Sequence, residues 1–260
     1  MAENNEIKVK SLQKALEILN LFTEKPVLGV TEVSEYFGLY KSTVHNILST
    51  LKAMEYLEQD EETGKYRLGI QIFNLSKALG DTYSITKIAG PYMQELSNYT
   101  GERCYLAVPY RQEVLYLDAM YPADSIELMR SILGERAQMH CTGLGKAMLA
   151  NMGEREISDY LEHHKLEAFT ENSIIDKKQF REELLRTKQR GYALDDMEHE
   201  FGIKCIAMPV FDRTKNVYAA ISISGMANHF TDANIAEWAM LLKKYIPVSY
   251  THLTLPTILR

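Results

Sequence analysis

Residues 31–69 read TEVSEYFGLYKSTVHNILSTLKAMEYLEQDEETGKYRLG, in the order helix, tight turn, second helix, charged β-hairpin. Thr31 is placed to cap a first helix, since its hydroxyl can accept a backbone N–H of the opening turn. Val33 and Phe37 are four apart and share one face. Gly38 ends that helix, where a left-handed residue is cheapest. A second helix starts near Lys41, with Val44, Ile47, Leu48, Leu51 and Met54 on one stripe. Tyr40, Lys41, Ser42, Thr43, His45 and Asn46 fall at its N-terminal end or on the opposite face. In a winged helix-turn-helix, that end of the second helix meets base edges in the major groove. Asn46 suits an adenine edge, and Lys41 a guanine or a phosphate. Two extended stretches, 56–59 and 65–68, flank a turn at 60–64, where Gly64 supplies positive φ. Lys65 and Arg67 on this wing are candidate phosphate contacts, which orient a protein on DNA without reading sequence.

Charge does not single out this segment as basic. Residues 1–80 hold nine Lys/Arg and eleven Asp/Glu, a net −2. Helix pairs that only pack a core show the same pattern, so the local absence of acids from 39 to 54 carries the DNA reading. The whole chain, 260 residues at net charge −6, has room for two domains and does not have the charge of a general nucleic-acid coat. Cys104, Cys141 and Cys205 fit a reducing cytoplasm better than a disulfide framework. No apolar run is long enough to span a bilayer, and no export signal opens the chain.

Beyond the wing, Leu12, Ala15, Leu16 and Leu19 mark a helix before the motif, and 68–89 reads as a helical connector. After it come a helix at 91–99, strands at 103–109, 114–120 and 126–131, and helices at 144–151, 154–161 and 177–190. Strands at 205–211 and 217–224 follow, then a last helix capped by Thr231. Mixed elements without βαβ regularity indicate an α+β domain. Pro247 and Pro256 break the final helical pattern, so 248–260 reads as an atypical tail foreign to the rest.

Candidate chemistry sits in this second half. In Ile221-Ser222-Ile223-Ser224 the serines share one face, as a ligand floor or as a solvated edge. Gly143 opens the helix after it, either as an ordinary turn glycine or as part of a carboxylate site at the helix's positive end. Cys205 opens an apolar strand, where a thiol is ordinarily inert; a reactive thiol there would make the chain a thiol-dependent enzyme or a redox sensor instead. The acidic run 195–200 reads as a solvated loop or a pocket rim. His140, Cys141, His163, His164 and His199 lack zinc-ligand spacing, and no metal or cofactor is expected.

Several stretches together resemble the IclR family of bacterial transcriptional regulators: SLQKALEIL (11–19), KSTVHNILSTL (41–51) and EETGKYRLG (61–69), then HCTGLGKAMLA (140–150), GYALDDMEHEFGIKCIAMPVFD (191–212) and AAISISG (219–225). The resemblance spans roughly 8–245. Asn46 departs from an arginine frequent in the family, and Cys141 and Leu144 depart from its usual alanines. The resemblance implies a winged helix-turn-helix over 8–70, a linker helix over 71–89, and a GAF-like antiparallel-sheet effector domain over 90–247. It also implies an effector pocket at Gly143, Leu144, Asp195, Cys205, Ser222 and Ser224, with Ile126 and Met129 as apolar walls. Gly143 and the serines would hold a carboxylate and Asp195 a hydroxyl, which fits a small hydroxy- or keto-acid. The implied partners are a double-stranded DNA operator and a second copy of the chain, as a homodimer or a dimer of dimers. The implied role is that of a repressor of a catabolic operon, without enzymatic activity.

Overall fold

The computed structural model describes residues 7–82, 84–123 and 132–251. The chain divides into two compact units, Met1–Thr82 and Tyr83–Arg260. The division falls within 71–89: α4 (Ile70–Thr82) belongs to the first unit, and α5 (Ser84–Thr100) to the second.

In the first unit, α1 (Lys10–Leu21), α2 (Val30–Phe37) and α3 (Lys41–Ala53) precede the two-stranded wing, β1 (Leu57–Gln59) and β2 (Tyr66–Leu68). Its core joins Ile18, Leu21, Phe22, Leu28, Val33, Val44, Leu48, Leu57 and Tyr66. Three expectations shift here. The cap of α2 is Gly29 rather than Thr31, because the Glu32 carboxylate reaches back to the Gly29 N–H at 2.5 Å. In α1 the buried positions are Ile18 and Leu21, while Leu12 and Leu16 are exposed. Met54 lies at the C-cap of α3, one position past the helical stripe, and is also exposed. Gly38 is left-handed at φ +63°, as a helix-ending glycine should be.

The second unit is built on one antiparallel sheet in the order β5-β4-β3-β8-β7-β6. Its strands are β3 (Arg103–Tyr110), β4 (Glu113–Met120), β5 (Arg136–Gln138), β6 (Ala193–Asp196), β7 (Ile203–Phe211) and β8 (Val217–Met226). α6 (Gly143–Leu149), α7 (Glu154–His163) and α8 (Lys177–Arg190) contribute to the core on one face of the sheet, and α5 and α9 (Asp232–Thr251) to the core on the other. Strand alternation separates the two cores: Cys104, Leu106, Ile206, Ile221 and Ile223 join the α5/α9 side, and Ala107, Cys205, Ala207 and Ala220 the α6–α8 side.

β5 and β6 were not foreseen. At three and four residues, both are too short to show alternation. As a result Asp195 and Asp196 belong to a strand, not to a loop. The strand expected at 126–131 lies outside the described residues. α9 continues through Pro247 to Thr251, since one proline removes a single helical hydrogen bond and kinks a helix without always ending it. α5 likewise runs through Pro91. Among the described residues no helix is long and apolar enough to cross a membrane.

Candidate functional site

In the first unit Tyr40, Lys41, Ser42, Thr43, His45 and Asn46 are all exposed around the start of α3, opposite its buried Val44 and Leu48. Lys41 makes no ion pair among the described residues. The two wing cations do: Lys65 pairs with Glu32 at 2.6 Å and Arg67 with Glu58 at 3.1 Å. A DNA phosphate would have to compete with those carboxylates, which spacing alone could not show.

In the second unit, strand register sets the site. Arg103, Ser224, Cys205 and Asp195 lie directly opposite one another across β3, β8, β7 and β6. Directly opposed residues share a sheet face, so the four form one row. The next row holds Tyr105, Ser222, Ala207 and Ala193. The N-terminal end of α6 lies over these rows. A Cβ on Gly143 would stand 2.6 Å from Cys205 Sγ, so only glycine lets the helix approach the thiol this closely. These rows, α6 and residues 195–203 enclose a cavity of about 320 Å³.

Gly143, Leu144, Asp195, Cys205, Ser222 and Ser224 all line this cavity. Ile126 and Met129 lie outside the described residues. The solvated-edge alternative for the serines is overturned: β8 is a central strand and both serines are buried. Ser222 Oγ makes no hydrogen bond of ordinary geometry. The helix end offers less to an anion than Gly143 implied, because Thr142 caps it and its Oγ1 takes the Gly145 N–H at 3.2 Å. The lining residues missed from sequence include Arg103, Tyr105, Tyr116, Thr142 and His199. Tyr105 and Tyr116 form an edge-to-face pair at 5.7 Å. Register with Ser222 and Ser224 was the signal that placed Tyr105 and Arg103, and it exists only once the sheet order is known.

Buried charge underlies one wall. Lys146 on α6 is fully buried and pairs with Glu198. Asp195 Oδ1 accepts the Glu198 N–H at 2.8 Å. The carbonyls of Met197 and Glu198 accept from Thr170 and Ser173 at 2.7 and 2.6 Å, which fixes the turn that carries His199. Burial pushes the Asp195 carboxyl up to about 7, against the pull of the Glu198 N–H and Lys146. Glu198 is also raised, again by burial, while burial lowers His199. Cys205 and Cys141 are pushed up to about 12 by burial, with Asp195 adding to it, so both are thiols and not activated thiolates. Cys141 Sγ meets His199 Nδ1 at 3.5 Å. His163 is exposed at the end of α7, whereas the His164 ring stacks on Tyr160. Among the described residues no group of three or more His, Cys, Asp or Glu is placed to hold a metal.

Comparison with known proteins agrees with both units. Residues 11–61 match the IclR helix-turn-helix domain, and residues 78–246 match the C-terminal domain of the bacterial transcriptional regulator IclR. The HTH-type transcriptional regulator XynR of Escherichia coli is 32% identical, covering 91% of this chain and 94% of that protein. The transcriptional repressor IclR of Escherichia coli is 30% identical, covering 93% and 90%. The crystal structure of an IclR homologue from Microbacterium hydrocarbonoxydans, complexed with 4-hydroxybenzoate, shares the fold with a TM-score of 0.81 at 21% identity over 93% and 98% of the two chains. With both of its units matched in order, this chain belongs to the IclR family of bacterial transcriptional regulators.

Proposed function

We propose that the chain represses a catabolic operon, and that a small hydroxy- or keto-acid bound in the 320 Å³ cavity controls its grip on DNA. The observation that carries this reading is the convergence on one cavity of six residues from α6, β6, β7 and β8, around a buried serine hydroxyl with no hydrogen bond of ordinary geometry. A buried hydroxyl left unpaired is costly, and a ligand oxygen relieves it. The serines and Arg103 supply donors for a carboxylate, while the Thr142 hydroxyl already gives its proton to the Gln138 carbonyl. Asp195 takes up a proton near neutrality, and then donates as well as accepts. Cofactor and catalyst have no part in this account; the family is one of regulators, and the raised thiols speak against a thiol enzyme or redox sensor.

On DNA, Tyr40, Lys41, Ser42, Thr43, His45 and Asn46 face the major groove. Lys65 and Arg67 reach phosphates after exchanging their carboxylate partners. One such unit reads a single half-site, so a homodimer or a dimer of dimers binds the operator. Ligand would shift that assembly between arrangements that fit and misfit paired half-sites. A protein with this role works in the cytoplasm, the compartment that suits its three free cysteines.

The test is calorimetric titration of hydroxy- and keto-acids into the full chain and its Ser222→Ala variant. Saturable binding that the variant weakens supports the reading; no heat from any such acid opposes it. On the DNA side, Lys41→Ala should weaken all duplexes alike, and Asn46→Ala should change sequence preference.

A further inference from the structure

We propose that a second cavity, at the C-terminal end of α6, binds an α-amino acid with an apolar side chain. This cavity has a volume of about 310 Å³. It lies between the β3–β4 hairpin turn, the end of α6 and the exposed start of α7, and shares no lining residue with the first cavity. Met139, Leu149, Met152 and Val217 give it an apolar floor.

Its polar groups are of both signs. Arg111 makes no ion pair among the described residues; its guanidinium lies 5.3 Å from the Tyr110 ring centroid. Arg111 and Gln112 form the two-residue turn at φ +51° and +64°, a conformation that favours Asn and Gly. Two long polar side chains occupy it instead. Gln112 uses its amide on Asp159 Oδ2 at 2.5 Å, and Asp159 Oδ1 faces His163 at 3.2 Å. Glu156 gives Oε2 to the Gly153 N–H at 3.0 Å and keeps Oε1 for another donor. Tyr160 also lines the cavity; it is 1% exposed, and its buried hydroxyl has no hydrogen bond of ordinary geometry.

One cation without a counter-ion among the described residues, one half-used carboxylate, a buried hydroxyl and an apolar floor match the parts of an amino acid: carboxylate to Arg111, ammonium to Glu156, side chain to the floor. A simple carboxylate would leave Glu156 unanswered, and a simple amine would leave Arg111 so. The seven-residue helix α6 is buried along its whole length and lines both cavities, through Gly143 and Leu144 at one end and Leu149 at the other. A ligand in either cavity therefore bears on the same helix.

The experiment is calorimetric titration of L-leucine and L-methionine into the full chain, beside 4-methylpentanoate and 3-methylbutylamine, which each keep one of leucine's charges. The amino acids should saturate, and the one-charge analogues should bind at least roughly tenfold more weakly. Arg111→Asn, which suits the left-handed turn, and Glu156→Gln, which keeps the bond to Gly153, should each cost about tenfold or more in affinity. Ser222→Ala should leave amino-acid binding unchanged, which separates this site from the first. The proposal is overturned by no heat from either amino acid, by binding that survives both substitutions, by analogues that bind as tightly as leucine, or by loss of binding in Ser222→Ala.

Discussion

Replacing Asp195 by Asn should stabilise the protein, and do so more at high pH. The carboxyl lies in the cavity wall and is buried, and its folded value of about 7 stands above the ordinary 3.8. Between those two values the native state holds a proton that the unfolded chain has released. Stability conferred by this group therefore falls as pH rises across that window. A shift of about three units corresponds to roughly 4 kcal/mol of lost stability at about pH 8, and to under about 2 kcal/mol at about pH 5. Asparagine keeps the size of the side chain and keeps Oδ1 as acceptor for the Glu198 N–H, but carries no charge to bury. Urea unfolding of wild type and variant at both pH values should show the variant's advantage growing by roughly 3 kcal/mol from the lower to the higher. A difference independent of pH, or a variant less stable at both, would refute the reasoning.

Three further outcomes follow from the same packing. Gly143→Ala puts a methyl group 2.6 Å from Cys205 Sγ and should destabilise by about 1–3 kcal/mol, with partial rescue by Cys205→Ala in urea titrations. Lys146→Met leaves Glu198 buried without its partner and should cost about 3–5 kcal/mol, most of it recovered on adding Glu198→Leu. Cys205 should resist iodoacetamide at neutral pH in the native protein, because burial holds it as a thiol; rapid alkylation, followed by mass spectrometry, would reopen the thiol-enzyme alternative.

Local signals made the helix-turn-helix and the longer elements legible. Val44 and Leu48 repeat at helical spacing, Gly38 and Gly64 take the left-handed conformations their turns need, and Ile221 to Ser224 alternate with a strand's period of two. What escaped depends on partners distant in sequence. β5 and β6 exist because longer neighbours template them. One miss was local: the Gly29–Glu32 capping box, three residues apart, starts α2 ahead of the Thr31 cap. The cavity's Arg103 and Tyr105 could be assigned only after β3 was known to pair with β8. Alternation singled out Ser222 and Ser224 and the helix start singled out Gly143, but only resemblance to a family joined them with Leu144, Asp195 and Cys205 in one pocket. The buried Lys146–Glu198 pair, 52 positions apart, left no trace in the sequence pattern.

The central claim, a DNA-binding repressor under ligand control, is tested most directly by selecting random duplexes with the purified full chain. The recovered duplex is then titrated by fluorescence anisotropy with and without a pool of small hydroxy- and keto-acids. The expected result is a palindromic site whose affinity changes when the acids are present, and does not change in Ser222→Ala. No enrichment with or without the acids, or a palindrome bound equally well in both conditions, would contradict it.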